Sequence, residues 1–439
     1  MRSIESESKT ETKLKRIRWL SEQDTGKVFH HLMHLFSVDA LSECFDELDG
    51  KKAVGADGID KEMYRENLDE NLRILVDKMK RMEYLPGPVR QVLIPKAGNP
   101  NEKRPLGIGN FEDKIVQRMM QKVLESVYDP LFLKCSYGFR AGIGCHDAIK
   151  DLHSHLFRQE EVSTIIDIDL ANFFGTIDHK EVINILREKI EDERFLRYIV
   201  RMFKGGVLAN GELTMSEEGV VQGSSCSPII SNIFAHYVID VWFEKMVKSH
   251  CNGKVELFRY ADDAIMCCQF ESDAIRIKSA LSKRLSKFKL KLNEEKTTVT
   301  SFSRRKYEEG KKQGVFHFLG FTFFWGRSRK GKALPKVETR GKSLRSKLKS
   351  VNEWARQIRN KYRLNHIWKI FGSKIRGHIQ YFGVSFNTRR VEYFVNKAVK
   401  ILFKWLNRRS QRKSFNWEKF SLFVEKNPLP KIKVHHPFF

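Results

Sequence analysis

The sequence has little of what marks a secreted, zinc-stapled or membrane-spanning protein. Its seven cysteines (Cys44, Cys135, Cys145, Cys226, Cys251, Cys267 and Cys268) are odd in number and none stands at CxxC spacing. Neither a disulfide framework nor a structural zinc site is expected, and a reducing compartment is the default. No stretch approaches the ~18 uncharged apolar residues of a membrane span. The amino terminus, MRSIESESKTETKLKRIRWL, carries charge throughout and lacks the apolar core of a signal peptide. There are no internal repeats and no long low-complexity tract. A soluble, cytoplasmic protein is expected.

What is abundant is positive charge, and it is unevenly placed. The 439 residues carry 80 Lys+Arg against 54 Asp+Glu, a formal net charge of +26. Gly326 to Phe439 hold 30 basic and 5 acidic residues, whereas the preceding 325 residues hold 50 and 49. Nearly all the excess sits in the last quarter. Such a patch is the footprint of a polyanion-binding surface, because neutralising phosphates releases condensed counterions. Aromatics such as Trp354, Tyr362 and Trp405 are interleaved with the charges there.

At roughly 150 residues per domain the length suggests two or three domains, and 41 % hydrophobic residues suffice for a sizeable core. Ser21 to Asp49 reads helical. KAVGADGID is a glycine-rich loop before a helix over about Lys61 to Met82. VRQVLIP alternates like a strand, KAGNPNEKRPLGIGN reads as a loop, and Phe111 to Tyr128 as a helix with an apolar stripe. Ser163 to Leu170 is a short strand, and helices are predicted from His179 to Ile190 and from Asp192 to Phe203. A hairpin is expected around Asn210-Gly211, then a long apolar helix over about Ile229 to Met246. Val255 to Tyr260 and Ala264 to Phe270 read as strands. From Gly341 the pattern is almost wholly helical, with a boundary placed near Arg327 to Thr339. The outline is α+β followed by a basic helical domain.

Two acidic segments carry the chemistry. In RYADDAIMCC, Asp262 and Asp263 interrupt what otherwise reads as a buried β-hairpin; a turn alone would account for the pair. In TIIDIDLANFFGTIDH a strand puts Ile165, Asp167 and Asp169 on one face and Ile166, Ile168 and Leu170 on the other. Carboxylates on such a strand are costly to bury unless paired or bound to cations. If the two segments are neighbouring strands, Asp169, Asp262 and Asp263 converge, and one takes up a proton unless positive charge neutralises them. Mg²⁺ would do so, and two such ions can stabilise the attacking and leaving oxygens of phosphoryl transfer.

These segments, with VRQVLIPKAGNPNEKRPLGIGNFEDKIVQRMMQ, SYGFRAGIGCHDAI, EEGVVQGSSCSPIISNIF, LKLNEEKTTV and FHFLGFTF, run in the order of a known family. The chain resembles the group II intron-encoded reverse transcriptases (maturases), and GHIQYFGVS and NWEKFSLFVEKNPLPKIKVHHP are similar to the family's thumb/maturase region. The resemblance implies a right-hand polymerase. An N-terminal helical extension and the start of the fingers would occupy 1–84, fingers and an antiparallel palm 85–325, and a helical thumb/maturase domain 326–439. By the same match Asp169, Asp262 and Asp263 are the catalytic aspartates, and the main-chain carbonyl of Leu170 completes a site for one of two Mg²⁺ ions. Arg90, Lys96 and Arg104 would bind the nucleotide triphosphate, a role to which forked guanidinium groups are suited. Phe174 would exclude a ribose 2′-hydroxyl, with Phe173 the core member of the pair, and Gln222 and Gly223 match the nucleotide-binding QG. The implied partners are an RNA template, a DNA primer, deoxynucleoside triphosphates and a structured intron RNA, with no membrane.

Departures from the family pattern stand at Ala171, Gly175, Val221 and the SSCSP run, and none removes a metal ligand. No cysteine follows Cys268, so an H-N-H-type nuclease is not expected. Three readings stay open: an active reverse transcriptase that is also a maturase, a splicing cofactor that does not need polymerisation, and a domesticated relative in phage defence or DNA repair.

Overall fold

The computed structural model of the chain describes residues 8–96, 99–209, 212–215, 219, 223–409 and 416–439. It opens with helices α1 (Lys9–Gln23) and α2 (Val38–Glu47), then α3 (Lys61–Arg65) and α4 (Leu68–Lys80). Two expected helices are therefore broken. Ser21 to Asp49 is not continuous, because a short 3-10 turn at Met33–Leu35 separates α1 from α2. The helix expected over Lys61 to Met82 is interrupted between Arg65 and Leu68, with the Asn71 side chain bonded back to the Tyr64 carbonyl.

Strands β1 (Val89–Lys96) and β2 (Asn99–Ile108) pair antiparallel, so the stretch read as a loop is largely strand. Helix α5 (Phe111–Tyr128) has the expected bounds. After α6 (Cys145–Arg158) come β3 (Thr164–Asp169), α7 (His179–Arg187), α8 (Glu193–Lys204), β4 (Val207–Ala209) and β5 (Glu212–Thr214). The pair β4–β5 is antiparallel, and the Asn210-Gly211 dipeptide between them lies outside the described residues. The long apolar helix runs from Ser227 to His250, as α9 (Ser227–Ala235), two wide turns at His236–Asp240 and Phe243–Val247, and α10 (Lys248–His250). Then follow β6 (Val255–Tyr260), β7 (Asp263–Cys268), α11 (Glu271–Lys287), β8 (Thr298–Ser301) and α12 (Arg304–Glu308). Strands β9 (Phe316–Phe318), β10 (Phe321–Arg327) and β11 (Ala333–Thr339) precede helices α13 (Gly341–Ile358), α14 (Leu364–Phe382), α15 (Thr388–Leu406) and α16 (Trp417–Lys426).

Among the described residues these strands form three sheets, ordered β2-β1-β4-β5, β6-β7-β3-β8 and β11-β10-β9. The boundary expected at Arg327 to Thr339 corresponds instead to β11, which pairs with β10 from Ala333 to Thr339. Backbone pairing made a charge-rich segment part of a sheet, and the helical run begins at Gly341, as the sequence pattern had it. No helix among the described residues is long and apolar enough to cross a membrane.

The middle sheet separates two buried apolar clusters. Ile166, Ile168 and Leu170 belong to one, with α5, α8 and α9; Ile165 belongs to the other, with α6, β9–β11 and the C-terminal helices. The period of two therefore sorts this strand between two cores. Side-chain caps tie distant segments together: Asp192 Oδ1 accepts from the Arg194 and Phe195 amides of α8, while its Oδ2 accepts from Leu32 N at 2.6 Å.

The β6–β7 hairpin is backed by the segment around Ser136, which bridges Arg259 in parallel. Arg259 N donates to the Cys135 carbonyl at 2.7 Å and Tyr137 N to the Arg259 carbonyl at 2.9 Å. Gly138 lies so close behind the hairpin turn that a Cβ there would stand 2.5 Å from Ala261 N. Backbone cannot swing aside as a flexible side chain can. Gly138→Ala is expected to cost about 1–3 kcal/mol of unfolding free energy, as overpacking does, and denaturant titration would read it; an unchanged midpoint would contradict this packing.

Candidate active site

The middle sheet brings the acidic segments together by register. Asp169 ends β3 directly opposite Asp263, the first residue of β7, and Tyr260 pairs with Asp263 across the β6–β7 hairpin. The turn is therefore the two residues Ala261 and Asp262. Ala261 has φ +58°, a left-handed value more often given to glycine. Asp169, Asp262 and Asp263 line one cleft of about 670 Å³.

The same walls carry groups that were not singled out as site residues: Asp167, Glu295, Lys296 and Arg340. Asp167 had a signal, since it shares the strand face of Asp169. Lys296, whose Nζ is 3.8 Å from Asp169 Oδ1, lies in the LKLNEEKTTV block. Arg340 had none; it reaches the cleft only because β11 returns to it.

Leu170 was expected to offer its carbonyl. Asn293 N donates to the Asp169 carbonyl and Ala171 N to the Lys291 carbonyl, each at 2.9 Å, flanking a Leu170–Leu292 bridge. Because carbonyls alternate along a strand, that of Leu170 turns to the opposite edge, the side of β7.

The electrostatics favour a cation. Burial, with the Asp167 charge next, pushes the Asp263 carboxyl up to about 7. Burial pushes Asp167 up to about 6, against a hydrogen bond from the His317 backbone and the Arg340 charge. Asp262 is raised by burial and by Asp169, against a local backbone hydrogen bond. Among the described residues no three His, Cys, Asp or Glu side chains already form a closed metal site. The donor set is nevertheless carboxylate oxygens, the chemistry that suits a hard divalent cation also taking water and phosphate ligands.

The β9–β10 turn joins this cleft to the C-terminal helices. Leu319 (φ +48°) donates its N–H to Asp263 Oδ2 at 3.4 Å, and its carbonyl accepts from the Tyr381 hydroxyl of α14 at 3.0 Å. The Gly320 carbonyl accepts from Arg340 N at 3.0 Å, just ahead of α13. Arg340 also lines a second cleft, of about 650 Å³, between α13 and α14, with Lys342, Lys347 and Lys374. Among the described residues no acidic one lines it. His378 forms part of its wall, buried and stacked on Phe394 at 3.5 Å between centroids, with neither ring nitrogen hydrogen-bonded. Burial and the Lys347 charge push its pKa down to about 3.

The nucleotide candidates sit elsewhere, and none of the described ones lines the aspartate cleft. Arg90 and Arg104 share a face of the β1–β2 hairpin, because Arg90 pairs with Ile108 and Ile94 with Arg104. Arg104 is exposed, whereas Arg90 donates from Nε and Nη2 to the Val54 carbonyl at 3.2 and 2.7 Å, holding the glycine-rich loop. Lys96 ends β1, where the register shifts. Phe173 is buried and Phe174 half-buried in the short 3-10 turn after Asn172. Gly223 (φ +115°) lies against β2, where a Cβ would stand 2.3 Å from the Gly107 carbonyl oxygen. Gln222 lies outside the described residues.

In cation-free buffer, between about pH 4 and 7, the folded chain holds protons on Asp167 and Asp263 that the unfolded chain has released. Their contribution to stability therefore falls as pH rises through that window. Asp263→Asn should exceed the parent in stability by a margin that widens from about pH 5 to about pH 8 in thermal melts with a chelator. A margin that is constant or shrinks would contradict the raised carboxyl.

Residues 94–323 match the family described as reverse transcriptase (RNA-dependent DNA polymerase). The group II intron-encoded protein LtrA of Lactococcus lactis subsp. cremoris is 25% identical over 463 residues, covering 87% of this chain and 75% of that protein. Protein YkfC of Escherichia coli (strain K12) is 31% identical over 314 residues, 64% of this chain and 78% of the relative. An uncharacterized 91 kDa protein in the cob intron of Schizosaccharomyces pombe is 35% identical over 172 residues, 39% of this chain and 21% of its own length. With its acidic segments paired at one end of the middle sheet, the chain belongs to the reverse transcriptase family, in its group II intron-encoded, maturase-related branch.

Proposed function

We propose that this protein is an RNA-directed DNA polymerase that also binds a structured intron RNA to assist splicing and mobility. The observation that carries the reading is Asp169 opposite Asp263 in one cleft with Asp262, where burial and the neighbouring Asp167 push the Asp263 carboxyl up. In this reading the β2-β1-β4-β5 sheet is the fingers, the β6-β7-β3-β8 sheet the palm, and the helices from Gly341 the thumb and maturase region. Residues 1–84 are an N-terminal helical extension leading into the fingers, and the palm side of the thumb boundary moves from 325 to the end of β11.

Asp169, Asp262, Asp263 and the Leu170 carbonyl would hold two Mg²⁺ ions, which when bound stabilise charge on the attacking and leaving oxygens. The rest falls to the chain. The middle-sheet register holds the carboxylates where a primer 3′-hydroxyl and a nucleotide α-phosphate must meet. Arg104 and Lys96 offer charge to the triphosphate, and Arg90 combines that role with bracing the Val54 loop. Gly223 keeps the QG backbone close to β2, Gln222 contacts the nucleotide, and Phe174 excludes the ribose 2′-hydroxyl.

The test is primer extension with a DNA primer on an RNA template, with deoxynucleotides and Mg²⁺. Extension by the parent and its loss in Asp262→Asn/Asp263→Asn, with RNA binding retained, is the expected result. Phe174→Ala should then accept ribonucleotides that the parent rejects. A parent that binds RNA tightly but does not extend would move the assignment to a splicing cofactor.

The cleft between α13 and α14 gives the basic quarter a particular role: it would carry nucleic-acid backbone to the aspartates, with Arg340 shared between the two. Lys347→Ala/Lys374→Ala should make the log–log salt dependence of template–primer binding shallower by about 2, near one phosphate each. An unchanged slope would place the contacts elsewhere.

A further inference from the structure

The residue two before the Ala261-Asp262 turn has no part in the chemistry above, yet it is one of the largest fully buried side chains among the described residues. Arg259 is 0 % exposed. A guanidinium has five N–H donors in a rigid fork and no acceptor. Here five bonds leave it. Nε and Nη2 grip Asp240 Oδ1 and Oδ2, each at 2.6 Å, and Nη2 also donates to Ser136 Oγ at 2.7 Å. Nη1 donates to Asn232 Oδ1 at 2.9 Å and to the Ala261 carbonyl at 3.0 Å. Asp240 is itself 0 % exposed, and the Asn232 amide donates onward to the Gly138 carbonyl at 3.1 Å.

A buried ion pair is weak support for stability as such, since desolvating both charges offsets most of their attraction. What this one does that an apolar pair could not is hold a backbone carbonyl, and the carbonyl belongs to Ala261. That alanine sits at φ +58°, where a Cβ is disfavoured, and the next two residues are Asp262 and Asp263. Gly138 closes the other side of the turn. The left-handed turn is thus pinned from the interior by a group whose remaining donors are committed to two other segments, the long helix through Asn232 and Asp240 and the segment at Ser136.

We propose that Arg259 is a positioning residue for catalysis. By fixing the Ala261 carbonyl to Asp240, Asn232 and Ser136, it keeps an otherwise disfavoured turn in the one conformation that aims Asp262 and Asp263 into the cleft. The proposal rests on the polymerase reading. It separates two things that a purely structural role would join, the fold of the sheet and the aim of the turn.

The experiment compares Arg259→Lys, Ala261→Gly and the double variant with the parent in single-nucleotide extension, thermal melting and RNA binding. Lysine keeps the charge against Asp240 but has no fork to reach the Ala261 carbonyl. Arg259→Lys is expected to lose roughly tenfold to a hundredfold in kcat, the scale of a small misplacement of reacting groups, with little change in nucleotide KM. The Mg²⁺ concentration giving half of the cation-induced rise in Tm should increase as well. Ala261→Gly, which adopts the turn without help, should restore much of kcat and of the Mg²⁺ midpoint to the lysine variant while leaving its lowered Tm in place.

Losses in kcat that follow Tm and ignore Ala261→Gly would overturn the proposal, as would a lysine variant with parental kcat. Should Arg259→Lys not fold, Ser136→Ala removes one partner of the fork and leaves the ion pair. It should show the same pattern on a smaller scale, and its failure to respond to Ala261→Gly would count equally against the proposal. A parent that does not extend at all would overturn the polymerase reading and this role with it. A parent that extends while the variants fail the pattern overturns this role alone.

Discussion

The buried pair Arg259–Asp240 is the interaction on which the arrangement of the middle sheet depends. It joins the long helix from Ser227, the Ser136 segment and the β6–β7 hairpin at one point with no exposed surface. The cost of taking a guanidinium and a carboxylate out of water is met only because every donor of the fork finds an acceptor. The Asp240 carboxyl stays below its ordinary range despite its burial, because Arg259 lies against it. Removing any partner would leave a charge or a dipole stranded in the interior.

From that node the geometry passes outward through turns rather than through helices. Ala261 leads to Asp262 and Asp263; Asp263 accepts from Leu319; Leu319 and Gly320 hold Tyr381 and Arg340. Each link has a backbone group on at least one side, and left-handed φ values recur along it, at Ala261, Leu319 and Gly320. The acidic cleft and the basic cleft between α13 and α14 are therefore neighbours sharing Arg340, and not separate features of two independent domains. The first is lined by carboxylates with Lys296 and Arg340 beside them, whereas the second is lined, among the described residues, by cations and no carboxylate.

Much of this was legible in the sequence. The alternation in TIIDID assigned Asp167 and Asp169 to one face, and Ile166 and Ile168 are indeed in a different apolar cluster from Ile165. The bounds of α5 and β6 followed from their apolar pattern and flanking residues. The misreadings share a cause. The loop read before α5 became β2, and the stretch from Arg327 to Thr339, where a boundary was placed, contains β11, because a paired neighbour satisfies backbone groups whatever the local composition suggests. Propensity describes a segment alone, and sheet formation is decided by what lies beside it.

The sequence by itself determined the chemical inventory: three aspartates in two short segments, cations in the VRQVLIPKAGNPNEKR stretch, a basic final quarter, and an order of blocks that names the family. These are properties of residue type and spacing, carried by the chain before it folds. Only the tertiary structure decided which groups share a cleft. Asp169 meets Asp263 because β3 and β7 adopt one register, Arg340 joins them because β11 returns from β10, and Arg259 disappears inside because Asp240, 19 positions earlier, comes round to meet it. Such meetings depend on hydrogen-bond register and on where buried charges find partners, and both are set by contacts between segments far apart in the chain.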